Sequence, residues 1–199
     1  MIDILHSLMT FLLQPFLALL DHLFFFNLNH WSPGAKASKS SVDFNKVQSY
    51  RYDVFISFRG ADTRNSFVDH LYAHLTRKGI FAFKDDERLE RGEPLSPQLL
   101  QAIKNSRISI VVFSKRYAQS TWCLEEMAII AKYRKIFKRT VFPVFYDIDP
   151  SDVRKQGGVY QNAFGLLKNK FKHDRKKLAR WMRAMTELAE LVGWDVRNK

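Results

Sequence analysis

The stretch STWCLEEMAII, Ser120 to Ile130, sets two adjacent glutamates in an otherwise apolar run. Neighbouring helical residues lie about 100° apart, so Glu125 and Glu126 cannot share a face. With Trp122 at zero, Ile130, Tyr133 and Phe137 fall within about 80° on one side, and Ile129 about 20° on the other. Glu126 then lies at about 40°, in the middle of the apolar stripe. Glu125 lies near about 300°, beside Lys132, as a surface acid able to pair along the helix. An unpartnered buried carboxylate is costly, so Glu126 calls for a reason. A second group is FRGADTR, Phe58 to Arg64, in which Arg59, Arg64 and the amide of Gly60 are able to hold phosphates. The plainer alternative is that Arg59, Asp62 and Arg64 pair with each other and brace the loop. Trp122 offers an indole to stack on a flat group, or simply a core side chain. Cys123, at about 100°, reads as a packed small residue rather than a nucleophile.

From Tyr52 onward, strand-like and helix-like segments alternate. YDVFIS is a buried strand, and the segment after it has Phe67, Leu71 and Leu75 at helical spacing, with an Asn65 cap and Gly79 as its stop. IFAFK is a second strand, followed by the charged loop DDERLERGEP and a short helix with Pro97 near its start. ISIVVFS, apolar throughout, is the central strand, and the two-glutamate helix follows it, capped near Ser120. TVFPVFY is a fourth strand whose Pro143 marks an edge or near-edge position. A helix from about Tyr160 and another over Leu178–Val192 close the pattern. Such alternation predicts a flavodoxin-like three-layer α/β domain with a central parallel sheet of four to five strands. Its ligand crevice lies beyond the carboxyl ends of the strands, where both loops and the start of the Glu126 helix emerge.

Several ligand classes are excluded. No GxxxxGK[ST] or GxGxxG follows a strand, so neither a P-loop nor a Rossmann grip is present. The third strand ends in Phe113-Ser114 rather than in the aspartate of a receiver domain. The six histidines show no metal-ligand spacing, and DIDPSD lacks the glycine and distal glutamate of a calcium loop, so no metal is expected.

The segments YDVFISFRGADTR, FKDDERLERGE, AIKNSRISIVVFSKRYAQSTWCLEEM, VFPVFYDIDPSDVRKQGGVYQNAF and the closing GW resemble, motif for motif, the plant-type TIR (Toll/interleukin-1 receptor) domain over about Tyr50 to Asn198. Ala61 stands where the family more often has glutamate, and Phe67-Val68-Asp69-His70-Leu71 replaces its FxSHL. The chain looks like a TIR-only protein or the TIR segment of a longer receptor. The resemblance implies an NAD⁺-cleaving immune-signalling enzyme that works as an oligomer, with Glu126 in the catalytic glutamate position. It further implies cofactor contacts from Phe58, Arg59, Gly60, Asp62, Thr63 and Arg64 in the first loop, from Gly92 in the second, and from Trp122. It places oligomer contacts around Asp69, His70 and Gly193, and completion of the site by a neighbouring copy. Nicotinamide leaves NAD⁺ as a neutral base, so the reaction needs no general acid. It needs a carboxylate to offset positive charge growing on the ribose. Two other readings stand beside this one. One is a non-catalytic scaffold recruiting other TIR proteins, which often lacks such a glutamate; the other is a nucleic-acid-dependent enzyme forming cyclic nucleotides, marked by salt-sensitive binding.

The net charge is +12, densest in KNKFKHDRKKLAR, Lys168 to Arg180, which reads first as a solvated helix face and second as an anion-binding strip. One cysteine excludes an intrachain disulfide and fits a reducing compartment. Residues 1–30 carry no Lys or Arg and are mostly Leu, Phe and Ile, interrupted at Pro15 and Asp21-His22. They read as a membrane anchor or as a helix docking on protein, and WSPGAKASKSS within residues 31–49 reads as a flexible linker. The lysines that follow favour a cytosolic domain tethered to the cytosolic face of a membrane. A fluorescent fusion of residues 1–49 is expected to pellet with membranes and to resist a salt wash; a diffuse soluble fusion would identify a docking helix instead.

Overall fold

In the computed structural model the chain divides into two compact units, Met1–Ser49 and Tyr50–Lys199. The residues described are 50–84 and 95–197, with Gln14, Leu17 and Ala18, all helical, in the first unit. The expectations for the apolar segment, for the linker and for Gly92 in the second loop lie outside the described residues. Among those that are described, no helix is long and apolar enough to cross a membrane.

The second unit is built on a sheet in the order β2–β1–β3–β4–β5, with every neighbouring pair parallel. Its strands are β1 (Tyr52–Phe58), β2 (Ala82–Lys84), β3 (Ser106–Phe113), β4 (Thr140–Tyr146) and β5 (Trp194–Val196). β1 is buried from Val54 to Phe58, and β3 throughout except Arg107, as strands covered on both faces must be. This is the flavodoxin-like α/β fold expected. The fifth strand was not located in advance, because three residues are too few to show a period. Pro143 fits its near-edge place in β4. A strand residue's N–H and C=O point the same way, and the Pro143 carbonyl faces Gly193, just ahead of β5, so its missing donor weakens no established pairing.

The first crossover departs from expectation. FRGADTR is not an open loop but winds directly into helix: α1 (Gly60–Thr63), a π-helical turn (Arg64–Val68) and α2 (Asp69–Arg77). Asn65 caps nothing, and sits at the kink with φ −83° and ψ 18°. The extra residue of a π turn is absorbed there, so the helix starts five residues earlier than its apolar spacing indicates. At its far end the expected stop holds. Ile80 N–H donates to Leu75 O and Gly79 N–H to Thr76 O, a Schellman closure with Gly79 at φ 73°.

The remaining helices are α3 (Pro97–Lys104), α4 (Thr121–Phe137), α5 (Pro150–Lys155), α6 (Val159–Lys170) and α7 (Arg175–Ala189). Ser96 caps α3 with Pro97 at its first position, and Asp174 caps α7 earlier than its apolar repeat suggests. α5, too short to show an apolar period, is nevertheless marked by Asp149-Pro150, an N-cap followed by a helix-compatible proline. Hydrogen bonding from Ser151, helped by Arg197 beyond β5, holds the Asp149 carboxyl down to about 2. Arg139 ties the base of the sheet to α3: its Nη1 and Nη2 donate to the last carbonyls, Ile103 O and Lys104 O. Its guanidinium lies 5.4 Å from the ring centroids of Tyr50, Tyr133 and Phe137.

Gly193, expected on an oligomer surface, has a stricter structural duty. A Cβ there would lie 2.5 Å from Pro143 O and 2.9 Å from a ring carbon of Phe145, so backbone must shift to accept one. Gly193→Ala is therefore expected to lower stability by about 1–3 kcal/mol, read as a fall in Tm of the full chain. An unchanged Tm would show that the β4–β5 edge relaxes freely.

Candidate functional site

The carboxyl end of β1 meets the start of α4, and this junction holds the glutamate singled out above. Ser120 begins α4 by accepting the Cys123 N–H at 3.2 Å. The next turn lays Glu126 against β1 with 3% of its surface exposed. Ser57 Oγ donates to Glu126 Oε2 at 2.6 Å. The Ser57 and Tyr117 hydroxyls lie 2.8 Å apart, and Tyr117 Oη donates to Cys123 O at 3.0 Å. Cys123 Sγ reaches Phe58 O at 3.4 Å, so two successive turns of α4 are tied to the last two residues of β1. Cys123 is buried, as its packing role requires. Burial pushes the Tyr117 phenol well above its usual range, with Cys123 and Glu126 adding to the effect, so it remains a hydrogen-bond donor at neutral pH.

The helix is more deeply buried than its apolar stripe indicates. Cys123, Leu124, Glu126, Met127, Ala128, Ile130 and Ala131 are buried, an arc from about 40° to about 240°. Glu126 thus stands at the margin of the buried arc, not at the centre of a stripe, while Ile136 and Phe137 are exposed. α4 packs against the sheet on one side and α7 on another, so small and apolar residues all round are accommodated.

Glu125 is not an ordinary surface acid. Its carboxylate accepts Arg180 Nη2 at 2.5 and 2.6 Å and the Nε1–H of fully buried Trp181 at 2.5 Å. The pairing expected along α4 with Lys132 is replaced by a bridge to α7, because the long Arg180 side chain and the indole converge there.

The first loop divides into braces and contacts. Asp62 is occupied by the segment after β3: Ser114 Oγ at 2.6 Å, Arg116 N–H at 2.9 Å and Arg116 Nε at 2.6 Å. Arg116 also donates to Ala61 O at 2.9 Å. Expected as a cofactor contact, Asp62 instead locks α1 to the β3–α4 connection, and it pairs with Arg116 rather than with the arginines of its own loop. Thr63 is fully buried, with its hydroxyl on Arg59 O, and Phe58 is 7% exposed. A Cβ at Gly60 would come within 2.9 Å of Arg64 Nη2, so the flexible guanidinium, which also covers the Phe58 ring at 5.2 Å, would have to shift to accept one.

Arg59 and Trp122 differ from these. Arg59 Nε and Trp122 Nε1 are buried donors without a hydrogen-bond partner, a rare condition that an incoming acceptor would relieve. Asp69, expected at an oligomer surface, takes Lys84 Nζ at 2.8 Å with nearly half of its side chain exposed, and His70 is half-buried. Among the described residues, no group of three or more His, Cys, Asp or Glu is placed to hold a metal. In the basic run, Arg180 is bound by Glu125 and Lys177 covers the Phe171 and Trp181 rings. The residues missed in advance are Ser57, Tyr117, Ser114 and Arg116. Ser57 alone left a signal, as a hydroxyl in a strand otherwise apolar from Val54 to Phe58.

A family model described as TIR domain matches residues 51–199. Disease resistance protein RPV1 of Vitis rotundifolia is 49% identical over 161 residues, 81% of this chain and 11% of that protein. TMV resistance protein N of Nicotiana glutinosa is 48% identical over 151 residues, 75% of this chain and 13% of that protein. The chain therefore spans between a tenth and a seventh of the length of these curated relatives. Among solved structures, the TIR domains of the activated Roq1 resistosome, directly recognizing the pathogen effector XopQ, match with 51% identity and a TM-score of 0.67, over 74% of this chain and 89% of that one.

The Glu125 bridge makes a direct prediction. Glu125→Ala leaves the buried Trp181 N–H without an acceptor and is expected to cost about 1–3 kcal/mol in denaturant unfolding. Glu125→Gln, which keeps an acceptor oxygen, recovers most of that loss; equal losses in the two variants would show that the exposed ion pair to Arg180 is what matters.

Proposed function

The chain belongs to the TIR domain family, and on that premise we propose that it is an NAD⁺ nucleosidase, active as an oligomer in disease-resistance signalling. The observation that carries this reading is Glu126: a carboxylate buried beyond the carboxyl end of β1, oriented by Ser57. Buried donors of Arg59 and Trp122 still await acceptors nearby in sequence on the two segments that frame this end of the sheet. Phosphate and carboxamide oxygens of a dinucleotide are acceptors of that kind.

In the proposed reaction the bond between ribose C1′ and the nicotinamide nitrogen breaks. Both electrons stay with the nitrogen, converting a cationic pyridinium into a neutral base. The positive charge passes to the ribose, and the Glu126 carboxylate stabilises it more strongly as it develops. Water adds at C1′ and releases a proton, giving nicotinamide, ADP-ribose and H⁺. A hydroxyl of the substrate itself attacking C1′ would give a cyclic product by the same bond changes. Arg59 and Gly60 would meet the phosphates and Trp122 the base, while Asp62 and Thr63 hold their loop in shape.

With 3% of its surface exposed, Glu126 is out of reach of a ribose until its surroundings move. Association of copies is the proposed means of opening and completing the site. The apolar first thirty residues, in this reading, tether the domain at the cytosolic face of a membrane and concentrate it.

Incubated with NAD⁺, the full chain should release nicotinamide, identified by mass, with activity per molecule that rises with protein concentration. Glu126→Gln retains an acceptor for Ser57, so its Tm should stay near that of the parent, while turnover falls at least about a hundredfold. No nicotinamide from the parent chain would favour a non-catalytic scaffold. Parental turnover in Glu126→Gln would remove Glu126 from the chemistry, and flat activity on dilution would remove the need for assembly.

A further inference from the structure

Ser57 is chemically out of place in its strand. It is fully buried between apolar neighbours, and no ladder position requires a hydroxyl there. Its oxygen lies 2.6 Å from Glu126 Oε2 and 2.8 Å from Tyr117 Oη, which in turn reaches Cys123 O at 3.0 Å. The protons can be counted. Ser57 and Tyr117 carry one each, and a carboxylate is the strongest acceptor in reach, so the Ser57 proton goes to Glu126. The Ser57 lone pairs then face Tyr117, whose proton lies between Ser57 Oγ and Cys123 O. Tyr117 is also fully buried, so neither hydroxyl is open to solvent.

We propose that Ser57 is the positioning residue of Glu126, fixing its carboxylate through Oε2, and that Tyr117 acts on Glu126 only through Ser57. This rests on the reading of Glu126 as the reacting carboxylate. A glutamate side chain has three rotatable bonds, and the ribose carbon it must face leaves little angular tolerance. Packing at the margin of the buried arc confines the stem, and the serine hydroxyl confines the head. Tyr117 holds the serine by one hydrogen bond and shares its proton with Cys123 O, whose place in the first turn of α4 the Ser120 cap already fixes. Three elements thereby aim one carboxylate, although only Glu126 itself would meet the substrate.

The test is steady-state NAD⁺ cleavage by the full chain, at one protein concentration high enough for assembly, with Tm measured on every variant. Ser57→Ala is expected to lower kcat roughly ten- to a hundredfold with KM unchanged, because the loss falls on the transition state and not on substrate binding. Ser57→Thr restores the hydroxyl but adds a methyl in a fully buried position, so it should be more active than Ser57→Ala while being no more stable. A residue that mattered only for packing would give the opposite order of activity. Tyr117→Phe should lower kcat by a smaller factor, and the double variant should match Ser57→Ala alone, as expected of residues acting in series. Parental kcat in Ser57→Ala, or Ser57→Thr no better than Ser57→Ala, with Glu126→Gln still inactive, overturns the role of Ser57. A further loss in the double variant overturns the route from Tyr117 through Ser57. Full activity in Glu126→Gln, or none in the parent chain, overturns the reading of Glu126 and this inference with it.

Discussion

A carboxylate taken out of water must find hydrogen bonds in compensation, and in this domain one of them fixes a strand–helix contact. Glu126 is almost wholly buried, and the hydroxyl of Ser57 meets it at 2.6 Å. That bond is available only if α4 lies on the end of β1 at one height and one rotation. Much of the polar architecture around it maintains that placement. Ser120 fixes where α4 begins, Cys123 ties its first turn to β1, and the Glu125 bridge fixes its opposite side to α7.

The two adjacent glutamates therefore do different work from one helix. Glu125 accepts a buried indole N–H and an arginine, and its charge is used to join two helices. Glu126 lies against the carboxyl end of β1, where the proposed reaction would place the ribose. In that reading, ligand chemistry and helix packing are separated by a single residue, because about 100° of rotation divides neighbours on a helix. The same division appears in the first loop, where Asp62 and Thr63 hold backbone in place while Arg59 keeps a buried donor unpartnered.

In the proposed reading, the site of one chain is incomplete. Its catalytic candidate is nearly inaccessible in one chain, and assembly offers a physical reason for access to depend on neighbours.

The sequence by itself determined the sheet, most of its crossovers and the identity of the central carboxylate. Apolar runs long enough to show a period announce β1, β3 and β4, and Ser96, Ser120 and Gly79 mark helix ends through purely local hydrogen bonds. Only the tertiary structure decided the rest, and in each case the partner is distant in sequence. Glu125 finds Arg180 and Trp181 fifty-five and fifty-six residues away, Asp62 finds Arg116 fifty-four away, and Ser57 finds Glu126 sixty-nine away. A helical wheel counts the polarity of its own residues and not what packs against them, so it placed Glu126 at the centre of a stripe when the clamp between sheet and α7 buries a wider arc. β5 and the π turn escaped for a related reason. Three residues carry no period, and an extra residue at Asn65 breaks one, so their form is set by the sheet edge and the loop brace they adjoin.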